Sequence, residues 1–248
     1  MQHRLEAIIQ KSKNRTDLWQ NFLKDAACQG VAEIGVYKGD FAKNILKECP
    51  SVVTYLMIDP WRNLSDWNKP ANADDKTFEG FYQESMQKTE FAAGKRQVLR
   101  GTTMEVVDKI RNNELDFAYI DGDHTLKGIT IDLISLWPKI KSNGFIGGDD
   151  FSSTIWQHSD EFEPTMVFPF AVYFAEAVNA TIYGLPHKQF LIDKGSTSFK
   201  FIDLTGGLYK HTEIRQQLLN SRQSNSSIKV RFAKKFPAIY GLYKKLFR

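Results

Sequence analysis

The sequence predicts an α/β fold, a largely parallel sheet with helices on both faces. Three observations carry this. Short apolar runs alternate with amphipathic segments along most of the chain, the pattern of strand–helix units that bury a sheet on both sides. The first run leads into 33-EIGVYKGDFA-42, where Gly35 and Gly39 let the backbone turn tightly into a helix. The last two runs lie close together, joined at Pro186 and His187 by too short a link for a crossover helix, so one of them should run antiparallel.

In chain order, residues 1–29 read as helix, with Leu5, Ile8, Ile9, Leu18 and Phe22 at roughly helical spacing. Strands follow at 31-VAEIGV-36, 54-TYLMID-59, 96-RQVLRG-101, 115-LDFAYID-121, 144-GFIGGD-149, 180-ATIYGL-185 and 189-QFLIDK-194. Helices fill the gaps at about 40–48, 76–92, 102–112, 125–141 and 164–178. Residues 61–75, WRNLSDWNKPANADD, read as an irregular insertion. The expected organisation is a helical extension over 1–29, one α/β domain over 30–205 and a second extension over 206–248.

Composition narrows the function classes. With 248 residues, 42% hydrophobic and 25% charged, the chain can bury a large core. A net charge of +4, with no basic stripe outside the end of the chain, argues against nucleic-acid binding. Cys28 and Cys49 form no CxxC pair and no metal spacing, and the amino-terminal segment lacks a signal-peptide core, so a reduced, cytoplasmic protein is expected. The sequons at Asn14 and Asn63 then count as chance matches. After the polar stretch 221-SRQSNSS-227, residues 228–248 carry seven basic residues and no acid, interleaved with apolar ones and divided by Pro237. That tail reads as a solvated face, a helix lying on the inner, anionic face of a membrane, or a homo-oligomer contact.

In open α/β sheets, ligands bind at the carboxyl ends of the strands. Those ends here are Gly35 and Gly39, then Asp59, then 101-GTTME-105, then Asp121, then Asp149 and Asp150. A carboxylate at Asp59 can accept hydrogen bonds from two ribose hydroxyls. Three carboxylates converging at Asp121, Asp149 and Asp150 would repel unless a cation sits among them. Oxygen-only ligands favour a hard ion, Mg²⁺ or Mn²⁺. Such an ion would bind a substrate hydroxyl and lower its pKa, with His124 as the base that takes the proton. Asp123 reads as a turn or helix cap. His158 and His187 read as loop residues, and Trp61, Trp67 and Trp156 either wall the site or cover the core.

The stretches 33-EIGVYKGDFA-42, Asp59 and 116-DFAYIDGDHTLKGITIDLISLWPKIKSNGFIGGDDF-151 resemble class I S-adenosylmethionine-dependent methyltransferases. Within them the likeness is to the cation-dependent O-methyltransferases: the macrolide-sugar group, and more distantly the catechol and caffeoyl-CoA enzymes. The resemblance covers about residues 30–195 and implies a Rossmann-like, seven-stranded sheet whose last strand is antiparallel. By position it implies that Glu33, Gly35, Tyr37 and Gly39 line the methionine side of the cofactor. Asp59 holds the ribose, Thr103 and Met104 lie by the adenine, and Asp121 also borders the cofactor. Asp121, Asp149 and Asp150 bind the metal, and His124 stands where the catechol enzymes carry a lysine base. Asp150 departs from the catechol type, where asparagine is usual.

The expected activity is methyl transfer, dependent on S-adenosylmethionine and Mg²⁺ or Mn²⁺, to a hydroxyl of a small molecule such as a sugar or glycoside. The alternative is a binding or adaptor protein that keeps the fold without turnover and sits at a membrane through its tail. A nicotinamide oxidoreductase is disfavoured, because the turn lacks the third glycine of G-x-G-x-x-G.

Overall fold

The computed structural model describes residues 1–159, 161–210, 213, 214 and 217. Two helices, α1 (Gln2–Lys11) and α2 (Arg15–Asp25), precede the sheet. Then come β1 (Gly30–Ile34), α3 (Asp40–Glu48), β2 (Thr54–Asp59), α4 (Asp75–Lys88), β3 (Arg96–Arg100) and the short α5 (Thr103–Val106). The second half is β4 (Leu115–Ile120), α6 (Leu126–Leu136), β5 (Ile140–Gly148), α7 (Val167–Ala177), β6 (Thr181–Leu185), β7 (Gln189–Asp193) and β8 (Lys200–Asp203).

Among the described residues the sheet has eight strands in the order β3-β2-β1-β4-β5-β7-β6-β8. β7 runs antiparallel to both of its neighbours, as the three-residue link from β6 requires, and every other pairing is parallel. The expected count of seven strands needs one correction. Lys200–Asp203 adds an eighth strand parallel to β6, so the antiparallel strand is the seventh and not the last. This strand is short and only partly buried, so its sequence lacks the apolar run that marks the others. The basic tail at 228–248 lies outside the described residues.

Side chains alternate between the two faces of the sheet. Val31, Tyr55, Met57, Phe117 and Tyr119 join one core cluster with α1, α2 and α3. Ala32, Ile34, Leu56, Ile58, Ala118 and Ile120 join the other, with α6 and α7. The residues read as an amino-terminal extension contribute to the first core directly. Trp19 and Phe22 are fully buried, and Trp19 lies edge-on to Tyr119, with ring centroids 5.5 Å apart. Fully burying a side chain of this size is worth on the order of 1.5–3 kcal/mol, so α2 is held firmly against the strands.

That packing fixes the carboxyl edge. The ladder continues one step past the strands, with Gly35 N donating to Ile58 O at 2.9 Å, Asp121 N to Ile34 O at 2.8 Å and Asp149 N to Ile120 O at 3.0 Å. Gly35, Asp121 and Asp149 therefore stand in a row along the top of β1, β4 and β5.

Candidate active site

The first half of the edge is the loop between β1 and α3. Gly35 has φ +86°, and a Cβ there would lie 2.1 Å from the backbone oxygen of Asp121. Only glycine permits this approach of the loop to the end of β4. Gly39 caps α3 at φ +75°, and its Cβ would lie 2.9 Å from Ser85 Cα on α4. Tyr37, itself at φ 53°, is exposed, with its ring 4.5 Å from that of Phe81.

Asp59 organises this loop from β2. Its Oδ2 accepts from Tyr37 N at 2.8 Å and its Oδ1 from Trp61 N at 2.7 Å. Burial raises its pKa above the usual carboxylate range, against the backbone donors that lower it. Each oxygen keeps a further lone pair, so a ribose would find acceptors already aimed.

Three residues expected around the cofactor divide. Met104 is exposed on the edge, while Thr103 is buried and donates its hydroxyl to Asp132 Oδ1 at 2.5 Å. Burial lifts Asp132 to about 7 despite that bond. Glu33 is buried within the sheet, where its carboxyl accepts from the Tyr55 hydroxyl at 2.7 Å. Burial, and then the nearby charges of Asp121 and Asp59, push its pKa well above the ordinary value, although the Tyr55 bond opposes them. The Glu33 side chain is thus buried in the sheet, bonded to Tyr55 on the neighbouring strand.

The second half of the edge holds the three carboxylates, and cations of the chain itself reach all of them. Arg15, the first residue of α2, ion-pairs with Asp149 Oδ2 and lies 3.4 Å from Asp121 Oδ2. His124 pairs through Nδ1 with Asp150 Oδ2. Its Nε2 lies 3.4 Å from Asp121 Oδ1 but out of line for a hydrogen bond, so that nitrogen has no hydrogen-bond partner among the described residues. Asp150 holds its side chain toward His124 from a left-handed backbone, φ 55°, a conformation aspartate tolerates better than most residues.

The expectation of His124 as a resting base meets an obstacle here. Burial pulls its pKa down, but the contacts to Asp121 and Asp150 outweigh burial and raise it to about 10. Burial likewise raises Asp150, and the bond to His124 reverses that and holds it below the ordinary value. The direction of this shift favours the imidazolium, a donor and not a proton acceptor.

Gln189 anchors the third corner. Fully buried on β7, it donates from Nε2 to Asp149 Oδ1 at 2.6 Å, and its Oε1 accepts from Trp19 Nε1 at 2.7 Å and the Tyr119 hydroxyl at 2.9 Å. One amide thereby ties the carboxylate at the end of β5 to α2 and β4.

Loops close over this cluster. The insertion after β2 is cross-braced by Asn72, which donates to Leu64 O and Trp67 O at 2.8 and 2.9 Å. It is tied to the loop before α7: Lys69, buried, donates to Glu163 O at 2.8 Å, and Asn68 donates to Glu161 O at 2.8 Å. Asp123 is a turn and cap residue, accepting from Thr125 N at 2.9 Å and Thr125 Oγ1 at 3.0 Å. It also takes the indole N–H of Trp67 at 3.0 Å. Trp61 belongs to the core, and Trp156 donates to Gln217 O at 3.3 Å. His158 and His187 lie in loops, as expected.

The donor set of Asp121, Asp149 and Asp150 suits a hard divalent ion by type, but not by arrangement. A guanidinium lies between two of the carboxylates, an imidazole takes the third, and among the described residues no three His, Cys, Asp or Glu side chains converge as ligands for a metal ion. Sequence reasoning missed Arg15, Gln189 and Lys69. A signal existed for Arg15, since a basic residue at the first position of a helix runs against the helix dipole and calls for another partner.

Residues 32–151 match a family described as a methyltransferase domain. Among solved structures, a provisionally assigned caffeoyl-CoA O-methyltransferase from Staphylococcus aureus is 14% identical, with TM-score 0.55 over 72% of this chain and 82% of that one. An O-methyltransferase from Bacillus cereus in complex with SAH is 13% identical, with TM-score 0.51 over 77% and 89% of the two chains. The O-methyltransferase TomG from Streptomyces achromogenes, involved in tomaymycin synthesis and in complex with SAM, is 12% identical, with TM-score 0.50 over 76% and 87%. At these identities the likeness is one of fold. No curated protein sequence matches the chain.

Proposed function

From the match of residues 32–151 to a methyltransferase-domain family we propose that the protein transfers the methyl group of S-adenosylmethionine to a hydroxyl oxygen of a small molecule, a sugar or glycoside being the acceptor class. The observation that carries the proposal is the row formed by the glycine loop, Asp121 and Asp149 along one edge. The cofactor supplies an electrophilic methyl on a sulfonium. Asp59 and the loop it braces would hold its sugar and amino-acid ends, and Met104 would flank its base. Two cations of the chain among three carboxylates leave a residual negative charge, which favours a cationic sulfonium over a pyrophosphate.

In this reading Asp121 takes the proton of the acceptor hydroxyl as the oxygen–methyl bond forms and the carbon–sulfur bond breaks. His124, charged, keeps Asp150 fixed and offers its free Nε2–H to the oxygen as negative charge develops. Positioning supplies much of the remaining rate gain. Dependence on Mg²⁺ or Mn²⁺ is the competing reading of the same carboxylates, favoured by their donor type and opposed by Arg15.

A binding protein without turnover is the second reading. One observation favours it: the carboxylates are already satisfied by cations of the chain. Calorimetric titration with S-adenosylmethionine and with NAD, followed by assay of S-adenosylhomocysteine release over a glycoside library, separates the readings. Uptake of NAD and not S-adenosylmethionine overturns the proposal, and cofactor uptake without release across the library supports the second reading.

The tail at 228–248 is proposed to touch anionic membranes from the cytoplasmic side. Salt-sensitive liposome binding that disappears on truncation after residue 220 is the expected result. Among the described residues no helix is long and apolar enough to cross a membrane.

A further inference from the structure

We infer that Arg15 is a built-in counter-ion that stands in place of a divalent metal at the carboxylate edge, making this a metal-free variant of the site. The inference rests on the methyl-transfer reading for its chemistry and on geometry for its placement. The guanidinium bridges Asp121 and Asp149, one residue from each of two neighbouring parallel strands. Those are the first two oxygen ligands a hard cation would need, and a magnesium ion accepts only near-octahedral ligands at about 2.0–2.1 Å. A planar guanidinium and such an ion cannot share the space. The third carboxylate, Asp150, is turned to His124 by its left-handed backbone.

The bridge is also supported from behind. Asp149 is held by Gln189 through its other oxygen, and Gln189 in turn holds Trp19, one turn along the helix that begins with Arg15. The same amide therefore fixes both the carboxylate and the helix that delivers the cation. Asn14 caps that helix, with its side chain accepting from Asp17 N at 2.9 Å, which sets where Arg15 leaves the backbone. The Arg15 side chain remains 44% exposed, so its removal opens a water-accessible gap and leaves the core intact.

Arg15 is a positioning residue in this account. It aligns Asp121 toward the acceptor and sets the charge of the edge, acting on the reaction only through that carboxylate.

The test uses the full-length protein and Mn²⁺ as probe, followed by electron paramagnetic resonance and calorimetry. Arg15→Ala should bind Mn²⁺ at least tenfold more tightly than the native protein does. Arg15→Lys, which keeps the charge, should resemble the native protein. Adding Asp149→Asn to Arg15→Ala should remove the new uptake. The inference is overturned by native protein that binds Mn²⁺ as tightly as Arg15→Ala, by Arg15→Ala that binds none, or by uptake that survives Asp149→Asn. Titration of the same samples with S-adenosylmethionine reports separately on the functional reading, because the glycine loop and Asp59 are unchanged in every variant.

Discussion

Gln189 and Asp149 face each other across the junction of β5 and β7, the amide Nε2 lying 2.6 Å from the carboxylate Oδ1. The contact exists because β7 pairs antiparallel with β5 in a register that sets Phe190 opposite Gly148 and so brings Gln189 level with Asp149. A buried amide making four such bonds, the fourth to His187 O at 2.8 Å, has no slack. Replacing it leaves an indole N–H, a phenol and the His187 carbonyl without this partner, and takes one donor from Asp149.

Gln189→Leu is therefore expected to destabilise the protein by about 3 kcal/mol, the cost of orphaning buried polar groups. Urea denaturation measures this, and a loss under about 1 kcal/mol would mean that the neighbours find other partners.

Gly35→Ala should weaken both folding and cofactor binding. The new Cβ meets the Asp121 carbonyl in a backbone region that costs non-glycine residues of order 1–3 kcal/mol. Gly80→Ala, in the middle of α4 with nothing within 4 Å of the new Cβ, is the control and should stabilise by roughly 0.5–1 kcal/mol. Equal effects at the two positions would remove the steric argument.

Asp59→Asn keeps the side-chain shape and can retain only part of the acceptor capacity. We expect it to lower affinity for S-adenosylmethionine about tenfold or more, since hydrogen bonds to a charged group are worth about 1.5–3 kcal/mol. Asp59→Ala should also lower the melting temperature, because the N–H groups of Tyr37 and Trp61 lose their acceptor. Calorimetry showing full affinity in Asp59→Asn would end the ribose assignment.

The pair of His124 and Asp150 sets a pH dependence. The folded-state pKa of His124 is raised to about 10 from a reference of 6.5. Its stabilisation is thus fully present below about pH 6.5, declines as pH rises and is gone above about 10. Buried thiols at Cys28 and Cys49 also erode stability at high pH, so the informative quantity is the difference between native protein and His124→Gln. That difference, measured by urea denaturation, should shrink between pH 7 and pH 10. A constant difference across the range would show that the imidazole is neutral in the folded protein.

Much of this site was legible in one dimension. Asp59, Asp121, Asp149 and Asp150 each end or follow a run of β-forming residues, and the rule that strands present their carboxyl ends to one edge brings them together without further information. The cap role of Asp123 was also readable, because its partner Thr125 is local. Arg15, Gln189 and Lys69 were not readable in the same way. Each meets its partners from an element more than thirty positions away, through a register or a loop contact that composition does not record. The Thr103 bond was hidden for a different reason: a helix start beside a strand end looks exposed until the facing helix supplies Asp132. The position of His124 three residues after Asp121 was readable, but its protonation depends on two carboxylates and could not follow from its own position.

The sheet order has a consequence for synthesis. β7 lies between β5 and β6, so the strand made sixth cannot pair with the one made fifth. A nascent chain that has released residue 185 but not residue 193 carries β5 with one hydrogen-bonding edge bare, flanked by the apolar side chains of Phe145 and Ile146. Such an edge is a ready template for another chain. Ribosome stalling, or a gene cut within this hairpin, should yield insoluble material even though every carboxylate of the site has already been translated. Recombinant yield then depends on how soon the last few strands emerge.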